Sequence, residues 1–281
     1  MEIGVNLEFA RTEDITAARA MKLAAEAGYR YVEPYVYSDV ALKINSHLAL
    51  HTETDFHSFH ARSTDVTEVN SLRKKLGLCF SAVDAHCSLL LPQIGLAYLK
   101  DAIDFAVQVE CPIVVSDEGP LSSEWMNLEK SFDIMCFTLE QVLKYSRRRS
   151  ILFATEPHNA LTARPDYLLK LLDRFGPDEL AVNFDTGNSF LAGNDPVEYL
   201  RHVAGRIVHV HVKDIPESQL DQRGKVTGTR VGVAAGEGRV DLKGIVGVLK
   251  DAGYDGVLSV ECDTLEQARR SLHYLKGLGL F

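Results

Sequence analysis

The sequence predicts a single (β/α)8 barrel, the TIM-barrel fold, over residues 1–281. Short apolar runs alternate with longer amphipathic segments eight times, which indicates parallel strands joined by helices. The length of 281 residues suits such a barrel, which typically takes about 250 residues. Neither a composition shift nor a linker divides the chain, so we predict one domain. A doubly wound open sheet is the weaker alternative, because no G-x-G-x-x-G motif follows the first apolar run.

Each predicted element has its own local signal. The strands are short apolar runs, whereas glycine, proline or a capping aspartate marks the boundaries of elements. Gly28 and Gly77 end the first two helices, Pro34 marks the exit of the second strand, and Asp241 caps a later helix. The predicted strands are residues 3–7, 31–35, 78–82, 112–116, 151–155, 180–184, 207–212 and 257–260. The predicted helices are residues 14–27, 66–75, 96–109, 128–148, 165–175, 196–203, 241–252 and 265–275.

The regular alternation breaks once, between about residues 38 and 64. This polar stretch follows the second predicted strand and carries His47, His51, His57 and His60. We predict an insertion that forms a lid over the barrel mouth, with an oligomer contact as the alternative. A metal site within the stretch is disfavoured, because the histidine spacing matches no recognised ligand motif.

The composition bounds the kind of protein. The net charge is −9, and the only dense basic run, Arg147-Arg148-Arg149, follows a helical pattern, which argues against a nucleic-acid partner. No apolar run is long enough to span a membrane, and the N-terminus leads into the first strand without a signal peptide. Five scattered cysteines without C-x-x-C spacing indicate free thiols in a reducing compartment. We therefore expect a cytoplasmic protein without membrane or nucleic-acid partners.

Four successive predicted strands carry metal-binding residue types at their carboxyl ends. These residues are Glu156, Asp185, His211 and Glu261, and a barrel directs such residues toward a common centre. Three carboxylates that converge without a cation would repel one another, and a divalent metal removes that conflict. Oxygen and imidazole ligands suit Mn²⁺, Mg²⁺ or Co²⁺, whereas Zn²⁺ is less favoured without a cysteine ligand. His209 shares the strand face of His211, and we expect it to support or pack against the site.

Five motifs surround these residues and follow one another along the whole chain. They are Thr155-Glu156-Pro157, Phe184-Asp185-Thr186-Gly187, His209-Val210-His211-Val212-Lys213-Asp214, Gly236-Glu237-Gly238 and Ser259-Val260-Glu261. In this order they resemble the xylose-isomerase-like superfamily of sugar isomerases and epimerases, which includes ketose 3-epimerases, inosose dehydratase and hydroxypyruvate isomerase. The resemblance implies a xylose-isomerase-like barrel with one divalent metal held by Glu156, Asp185, His211 and Glu261. Among the suitable cations we prefer Mn²⁺.

The resemblance also implies a mechanism and a substrate class. In the epimerases of that family, a metal chelates a small carbohydrate and stabilises the enediolate that forms when a proton is lost. Two glutamates exchange protons with opposite faces of the substrate, which implies that Glu156 and Glu261 are catalytic. Asn188 and Glu217 depart from the pattern, because the epimerases carry a histidine and an arginine there. Both departures disfavour a free-ketose epimerase, and Asn188 also disfavours the trinuclear zinc site of endonuclease IV.

Further polar residues at or beyond predicted strand ends are candidates for the substrate pocket. Lys213 could bind a hydroxyl, an acid group or a developing oxyanion. For His86 and His158 a pocket role and a packing role are about equally expected, whereas solvent exposure is the default for the loop residue Arg230. The full set of candidates is Glu33, His86, Glu118, His158, Asn188, Lys213 and Arg230.

We predict a divalent-metal-dependent isomerase or epimerase of a keto-sugar or a related small carbohydrate. A lyase or dehydratase with the same metal and base is the alternative, because both reactions begin with the same proton abstraction. A non-catalytic sugar-binding barrel is disfavoured by the intact pair Glu156 and Glu261, and a nuclease by the acidic net charge and Asn188. We also predict a homo-oligomer, either a dimer or a tetramer.

Overall fold

The predicted barrel is confirmed by the computed structural model, which describes residues 1–38, 57–119, 127–229 and 232–279. Nine strand segments form one parallel sheet, and a separate pair lies beside it. The strands are β1 (Glu2–Asn6), β2 (Tyr31–Glu33), β3 (Val36–Tyr37), β4 (Phe59–His60), β5 (Cys79–Phe80), β6 (Val83–Asp84), β7 (Ile113–Ser116), β8 (Leu152–Thr155), β9 (Ala181–Asp185), β10 (Ile207–Val212) and β11 (Val257–Val260).

The sheet curls into a barrel because one stretch of chain forms both of its edges. In the order β5-β2-β1-β11-β10-β9-β8-β7-β6, the two outermost strands are consecutive in the chain. β5 pairs with β2, whereas β6 pairs with β7. The sequence predicted one strand over residues 78–82. The structure divides it, because residues 79–84 change partner halfway along.

Helices connect the strands and cover the outside of the barrel. Within the described residues they are α1 (Phe9–Thr12), α2 (Ala17–Glu26), α3 (Val66–Leu76), α4 (Pro92–Gln108), α5 (Leu128–Arg147), α6 (Pro165–Arg174), α7 (Thr186–Leu191), α8 (Pro196–Val203), α9 (Leu242–Asp251) and α10 (Leu265–Gly277). Helix α4 begins at Pro92 rather than at residue 96, because the fixed φ of proline suits a first helical turn. In the described chain, no helix has both the length and the apolar character needed to cross a membrane.

The short strands β3 and β4 pair in parallel at the two ends of the predicted insertion. Between them, residues 39–56 lie outside the described residues, and these include His47 and His51. His60 is described and has a local structural role. Its Nδ1 accepts hydrogen bonds from two backbone N–H groups in the turn that follows, that of Arg62 at 3.2 Å and that of Ser63 at 3.0 Å. The lid therefore stays a prediction.

The barrel interior is apolar at the start of the strands and polar at their ends. Ala82, Val115, Ala154 and Ala181 form a small buried cluster of their own. Side chains two residues apart on a strand lie on the same face of the sheet, so the face that points into the barrel does so up to the carboxyl end of the strand. On these faces Ala154 is followed by Glu156. Functional side chains therefore stand above a packed apolar layer.

Asp214 anchors the long loop that follows β10. Its carboxylate accepts four backbone hydrogen bonds, from the N–H groups of Ile215, Gly236, Gly238 and Val240, at distances of 2.9 to 3.0 Å. A Cβ at Gly238 would collide with this carboxylate, so the loop needs glycine at that position. Two of the motifs that carry the resemblance, those with Asp214 and Gly238, therefore have a structural role, because they fold the loop around Asp214.

Replacing Asp214 by alanine should destabilise the fold, because four backbone N–H groups lose their acceptor. Hydrogen bonds to charged groups contribute about 1.5–3 kcal/mol each, and water replaces some of them, so we expect a loss of about 3 kcal/mol in the free energy of unfolding. Urea unfolding followed by circular dichroism measures this loss. Asp255→Ala is the matched control, because Asp255 is exposed and should change stability by less than about 0.5 kcal/mol. Equal losses in both variants would contradict the anchoring role.

Candidate active site

A cavity of about 390 Å³ opens at the carboxyl ends of the barrel strands. Titratable side chains make up most of its wall: Glu8, Arg11, Tyr35, His57, His86, Asp117, Glu156, His158, Lys213 and Glu261. Such a concentration of charge in one enclosed space is typical of an active site, where the surroundings shift pKa values.

The four residues predicted as metal ligands lie together at the base of this cavity. Glu156, Asp185 and His211 each offer a ligand atom within 4.8 Å of the other two, and all three are buried. Glu261 stands outside that group of three but reaches the same imidazole. His211 Nδ1 lies 3.1 Å from Glu156 Oε2 and 3.3 Å from Glu261 Oε2. The structure therefore brings together one imidazole nitrogen and carboxylates from three neighbouring strand ends.

The residues present fit a divalent cation. Asp185 accepts the backbone N–H of Asn188 at Oδ1, but its Oδ2 atom is buried and has no hydrogen-bond partner in the described chain. Burial raises the pKa of Asp185 well above its usual value, and the charges of Glu261 and Glu156 raise it further against the opposing effect of Lys213. A cation beside Oδ2 would remove this conflict. Carboxylate oxygens with one imidazole nitrogen suit Mn²⁺, Mg²⁺ or Co²⁺.

Glu33 orients the imidazole of His211. Both Glu33 oxygens lie 3.0 Å from His211 Nε2, which leaves Nδ1 facing the other carboxylates. Glu33 is held in turn by Asn6 Nδ2 at 3.2 Å and Ser259 Oγ at 2.7 Å. Carboxylates commonly fix metal-binding histidines in this way. The sequence predicts Glu33 on the pocket wall, whereas the structure places it fully buried beneath His211.

His209 supports the same layer. Its Nδ1 lies 3.0 Å from Asn183 Oδ1 and its Nε2 lies 3.1 Å from Ser81 Oγ, so both ring nitrogens are engaged. Burial lowers the pKa of His209 to about 4, which keeps the ring neutral near pH 7. Together with Glu33 and His211 it forms another group with metal-binding spacing. Because these hydrogen bonds already occupy the ring of His209, we interpret that group as support for His211.

Two asparagines hold Glu156 in the cavity wall. Asn183 Nδ2 donates to Glu156 Oε2 at 3.0 Å, and Asn188 Nδ2 donates to Glu156 Oε1 at 3.1 Å. Asn188 also accepts the backbone N–H of Thr229 at 3.4 Å, which links the site to the loop after β10. Asn188 lines the cavity and positions a carboxylate there.

Lys213 places a buried positive charge beside Glu261. Its Nζ forms an ion pair with Glu261 Oε1 and lies 3.6 Å from Asp185 Oδ2. The Thr186 hydroxyl accepts the Lys213 backbone N–H at 3.0 Å and donates to the Lys213 carbonyl at 2.7 Å. A Cβ on Gly187 would lie 2.7 Å from Lys213 Cγ, so glycine leaves room for the lysine stem. The turn that begins at Asp185 therefore also positions Lys213.

The two glutamates have different electrostatic surroundings. Burial alone would raise both pKa values. At Glu261 the charge of Lys213, with His211, outweighs burial and holds the pKa well below its usual value. At Glu156 three neighbouring imidazoles, His211 foremost, lower the pKa. Although burial opposes it, Glu261 and then Asp185 raise the pKa of Lys213. Near pH 7 both carboxylates are therefore ionised beside a protonated lysine.

A further polar group lies on the other side of Glu156. Asp117 Oδ1 is 3.5 Å from His86 Nδ1, and Asp117 Oδ2 is 3.4 Å from His158 Nδ1. His86 Nε2 lies 2.9 Å from Asp84 Oδ1. Against the effect of burial, Asp84 and Asp117 raise the pKa of His86 well above its usual value. The two histidines expected in the pocket thus both reach the cavity, with Asp117 between them.

Two other expected pocket residues are placed differently. Glu118 is not part of the cavity wall within the described chain. Its carboxylate accepts the backbone N–H of Leu161 at 2.9 Å and of Thr162 at 3.2 Å, together with the Thr162 hydroxyl. Burial raises the pKa of Glu118 to about 7. Arg230 lies outside the described residues, so its role over the substrate stays a prediction.

The cavity wall also contains residues that the sequence analysis did not single out: Glu8, Arg11, Tyr35 and Asp117. Alternation along the strands is the signal that could have identified most of them. Val115 belongs to the interior cluster, so Asp117 points inward two residues later, whereas Glu118 falls on the opposite face. Glu8 accepts a hydrogen bond from Arg11 at 2.9 Å, and burial together with Glu261 raises its pKa to about 7.

The chain belongs to the xylose isomerase-like TIM-barrel family, whose model matches residues 21–278. This confirms the xylose-isomerase-like superfamily that the sequence motifs indicated. Among solved structures, a D-tagatose 3-epimerase-like protein matches with a TM-score of 0.78 over 99% of this chain and 97% of that chain. The sequence identity is 19%, so this likeness shows a shared fold.

Curated relatives match over part of their length. An uncharacterized protein of Methanocaldococcus jannaschii is 28% identical over 185 residues, covering 63% of this chain and 60% of that protein. The inosose dehydratase of Lacticaseibacillus casei is 34% identical over 109 residues, covering 36% of each chain. The chain therefore matches less than two thirds of the length of either relative.

Replacing Gly187 by alanine should displace the Lys213 stem, because the added Cβ would lie 2.7 Å from Cγ and 2.9 Å from Cδ of that lysine. We expect the free energy of unfolding to fall by about 1–3 kcal/mol, the usual effect of overpacking. Gly247→Ala in α9 is the control: apart from the adjacent residues and the helix's own backbone, no atom of the described chain lies within 4 Å of its added Cβ, so it should stabilise the helix by up to about 1 kcal/mol. If urea unfolding gave the same stability for both variants, the turn would not constrain Lys213.

Proposed function

We propose that this protein is a divalent-metal-dependent isomerase or epimerase of a keto-sugar or a related small carbohydrate. Family membership supports a carbohydrate substrate. The cluster of Glu156, Asp185 and His211 supports a bound metal. Among divalent ions we favour Mn²⁺, because carboxylate oxygens dominate the donor set, and Mg²⁺, Co²⁺ or Zn²⁺ would use the same residues. The homo-oligomer, the cytoplasmic location and the lid over residues 38–64 stay predictions.

The observation that carries this proposal is the different access of the four site residues to the cavity. Glu156 and Glu261 form part of the cavity wall. Asp185 and His211 are buried beneath it and do not contribute to the described wall. A residue that only binds a metal needs no contact with substrate, whereas an acid or base does. The two glutamates, which face His211 Nδ1 from the ends of β8 and β11 on either side of β10, are therefore our acid–base pair.

The chain's own residues suggest how the reaction proceeds. Glu156, Asp185, His211 and Glu261 would hold the metal, which when bound polarises a carbonyl and the adjacent hydroxyl of the sugar and acidifies the C–H there. Glu156 is ionised and held in place, so it can take this proton. The opposite face then gains a proton through Glu261, which is ionised at rest and would first take that proton from the Lys213 ammonium, its ion-pair partner, and exchange with solvent would restore the three groups. The ammonium of Lys213 can donate a hydrogen bond to the oxygen that becomes negative.

A dehydratase is the second candidate, and a specific contact favours it. His158 Nδ1 lies 3.6 Å from Glu156 Oε1, and His86 Nε2 lies 3.9 Å from Glu156 Oε2. After Glu156 removes a proton, a protonated imidazole beside it could donate a proton to the hydroxyl that leaves the next carbon as water. The partial match to an inosose dehydratase is consistent with this reaction.

Replacing Glu156 or Glu261 by glutamine should stop turnover, because glutamine keeps the size of the side chain and removes the proton-accepting charge. We expect kcat/KM to fall by about 10²–10⁴-fold, the usual contribution of an acid–base group. The assay uses Mn²⁺-loaded protein and a panel of keto-sugars and inososes. Glu237→Gln is the control, since Glu237 pairs with Arg270 on the surface and should leave activity unchanged. Wild-type rates in both active-site variants would refute the acid–base pair.

Incubation in D₂O followed by NMR should separate the two candidate reactions. Deuterium at the carbon next to the carbonyl with the carbon skeleton and hydroxyls intact would support the isomerase or epimerase. Loss of a hydroxyl with formation of an unsaturated or deoxy product would support the dehydratase. If His158→Gln abolished product formation but kept deuterium exchange, the imidazole would be the acid for the leaving hydroxyl. Exchange without any added or bound metal would contradict metal dependence.

A further inference from the structure

We propose that the hydroxyl of Tyr35 binds a free hydroxyl group of the substrate and thereby favours an uncharged carbohydrate over a sugar phosphate. Tyr35 lies between β2 and β3 and forms part of the cavity wall. It belongs neither to the proposed metal ligands nor to the acid–base pair. The inference rests on the proposed function, because it names the kind of carbohydrate that this cavity would accept.

The Tyr35 hydroxyl is a hydrogen-bonding group that the protein leaves unused. It has no hydrogen-bond partner in the described chain, yet it is not one of the polar atoms that the protein encloses completely. Because Tyr35 is half-buried in the cavity wall, the open space beside this hydroxyl is the cavity. Tyrosine hydroxyls in such positions usually find a partner, so an oxygen of a bound ligand would complete this one.

The protein holds Tyr35 in place from three directions. On one side its carbonyl accepts the backbone N–H of Phe59, at the start of β4, at 2.9 Å. On another side Tyr35 pairs with Asp84, at the end of β6, in an isolated parallel bridge. The phenol ring packs against the imidazole of His86, with 6.1 Å between the ring centroids and 29° between the ring planes. A donor held in this way loses little conformational freedom on binding, which suits it to select one substrate geometry.

The surroundings of Tyr35 keep its hydroxyl protonated and available. Burial raises the pKa of Tyr35 well above its usual value, and the negative charges of Asp84, Glu8, Glu261 and Glu156 raise it further. The hydroxyl is therefore a neutral donor near pH 7. None of these carboxylates accepts a hydrogen bond from it in the described chain, so the proton stays available for an oxygen of the substrate.

A phosphate group would need an unpaired positive charge, whereas the cations of the described cavity wall already have partners. Arg11 Nη2 lies 2.9 Å from Glu8 Oε1, and Lys213 forms an ion pair with Glu261. The imidazole of His86 lies between two carboxylates in the same way. Within the described chain the wall contains no further lysine or arginine. A sugar hydroxyl needs no counter-charge, since it can accept a hydrogen bond from the phenol and donate one to a carboxylate.

Binding to the wild type and to Tyr35→Phe tests this proposal, because phenylalanine keeps the ring and removes only the hydroxyl. The probes are a panel of inososes and free ketoses, with the phosphate esters of the same ketoses, titrated by calorimetry into Mn²⁺-loaded protein. We expect the free sugars to bind more tightly than their phosphates. Tyr35→Phe should raise the dissociation constants of the free sugars about 3–10-fold, the usual effect of losing one neutral hydrogen bond. Tyr31→Phe, in β2 but outside the described cavity wall, is the matched control and should leave them unchanged.

Deoxy analogues of the sugar that binds most tightly give a readout that a merely structural role of Tyr35 would not produce. The analogue that lacks the hydroxyl bound by Tyr35 should bind equally to the wild type and to Tyr35→Phe, because the hydrogen bond is already missing. The other deoxy analogues should keep the difference of about 3–10-fold. A general distortion of the cavity would weaken the binding of all analogues alike, and that result would contradict the proposal.

The possible outcomes separate this proposal from the proposed function. Equal binding of the free sugars to the wild type and to Tyr35→Phe, or tighter binding of the phosphates, would overturn the role of Tyr35 and leave the proposed function intact. Selective binding that Tyr35→Phe weakens, without deuterium exchange by the wild type in D₂O, would support the role of Tyr35 and overturn the proposed function. No binding of any probe would overturn both.

Discussion

The buried negative charge around His211 is the constraint that the rest of the site satisfies. Glu33, Glu156, Asp185 and Glu261 each have at most 5% of their surface exposed. Buried charges are costly unless each is paired or hydrogen-bonded. Imidazoles and asparagine amides satisfy most of these oxygens, and Lys213 neutralises one side. The remaining excess of negative charge lies at Asp185, whose second carboxylate oxygen has no hydrogen-bond partner in the described chain. A cation beside this oxygen would complete the charge balance.

A single turn after β9 carries several parts of this arrangement. Asp185 ends the strand and also caps α7 by accepting the Asn188 amide. Thr186 and Gly187 set the path of Lys213, and Asn188 holds Glu156. Because four consecutive residues act on shared partners, the effects of substituting them should not add independently. The turn is short, so its backbone holds Asp185, the proposed metal ligand, in a fixed position relative to Asn188, which lines the cavity.

Local sequence patterns predict most of this fold, because alternating strands and helices of this length have few ways to pack. The division of the third strand was not predictable, since the exchange of pairing partners is a tertiary property. At the site, the positions of the predicted strand ends are enough to identify the converging carboxylates. They do not show how deep in the barrel each side chain lies. Glu33 faces inward one layer lower than expected, level with Asn6, because the stagger between strands decides depth. Asp117, rather than Glu118, reaches the cavity because alternation selects the inward face.

The segment from β5 to β6 has a consequence for how the active geometry arises. This segment is the seam of the barrel, meaning the place where the two edge strands of the sheet meet, and Asp84 and His86 lie at its carboxyl end. The first half of the chain contributes Glu33, His86 and Asp117, whereas the second half contributes the residues around His211. The second half holds all four proposed metal ligands but lacks Glu33, which orients His211, so the site is incomplete in a chain that has folded only that half. The site is therefore complete only when the seam is closed, and closure also covers the sheet edges that would otherwise promote aggregation.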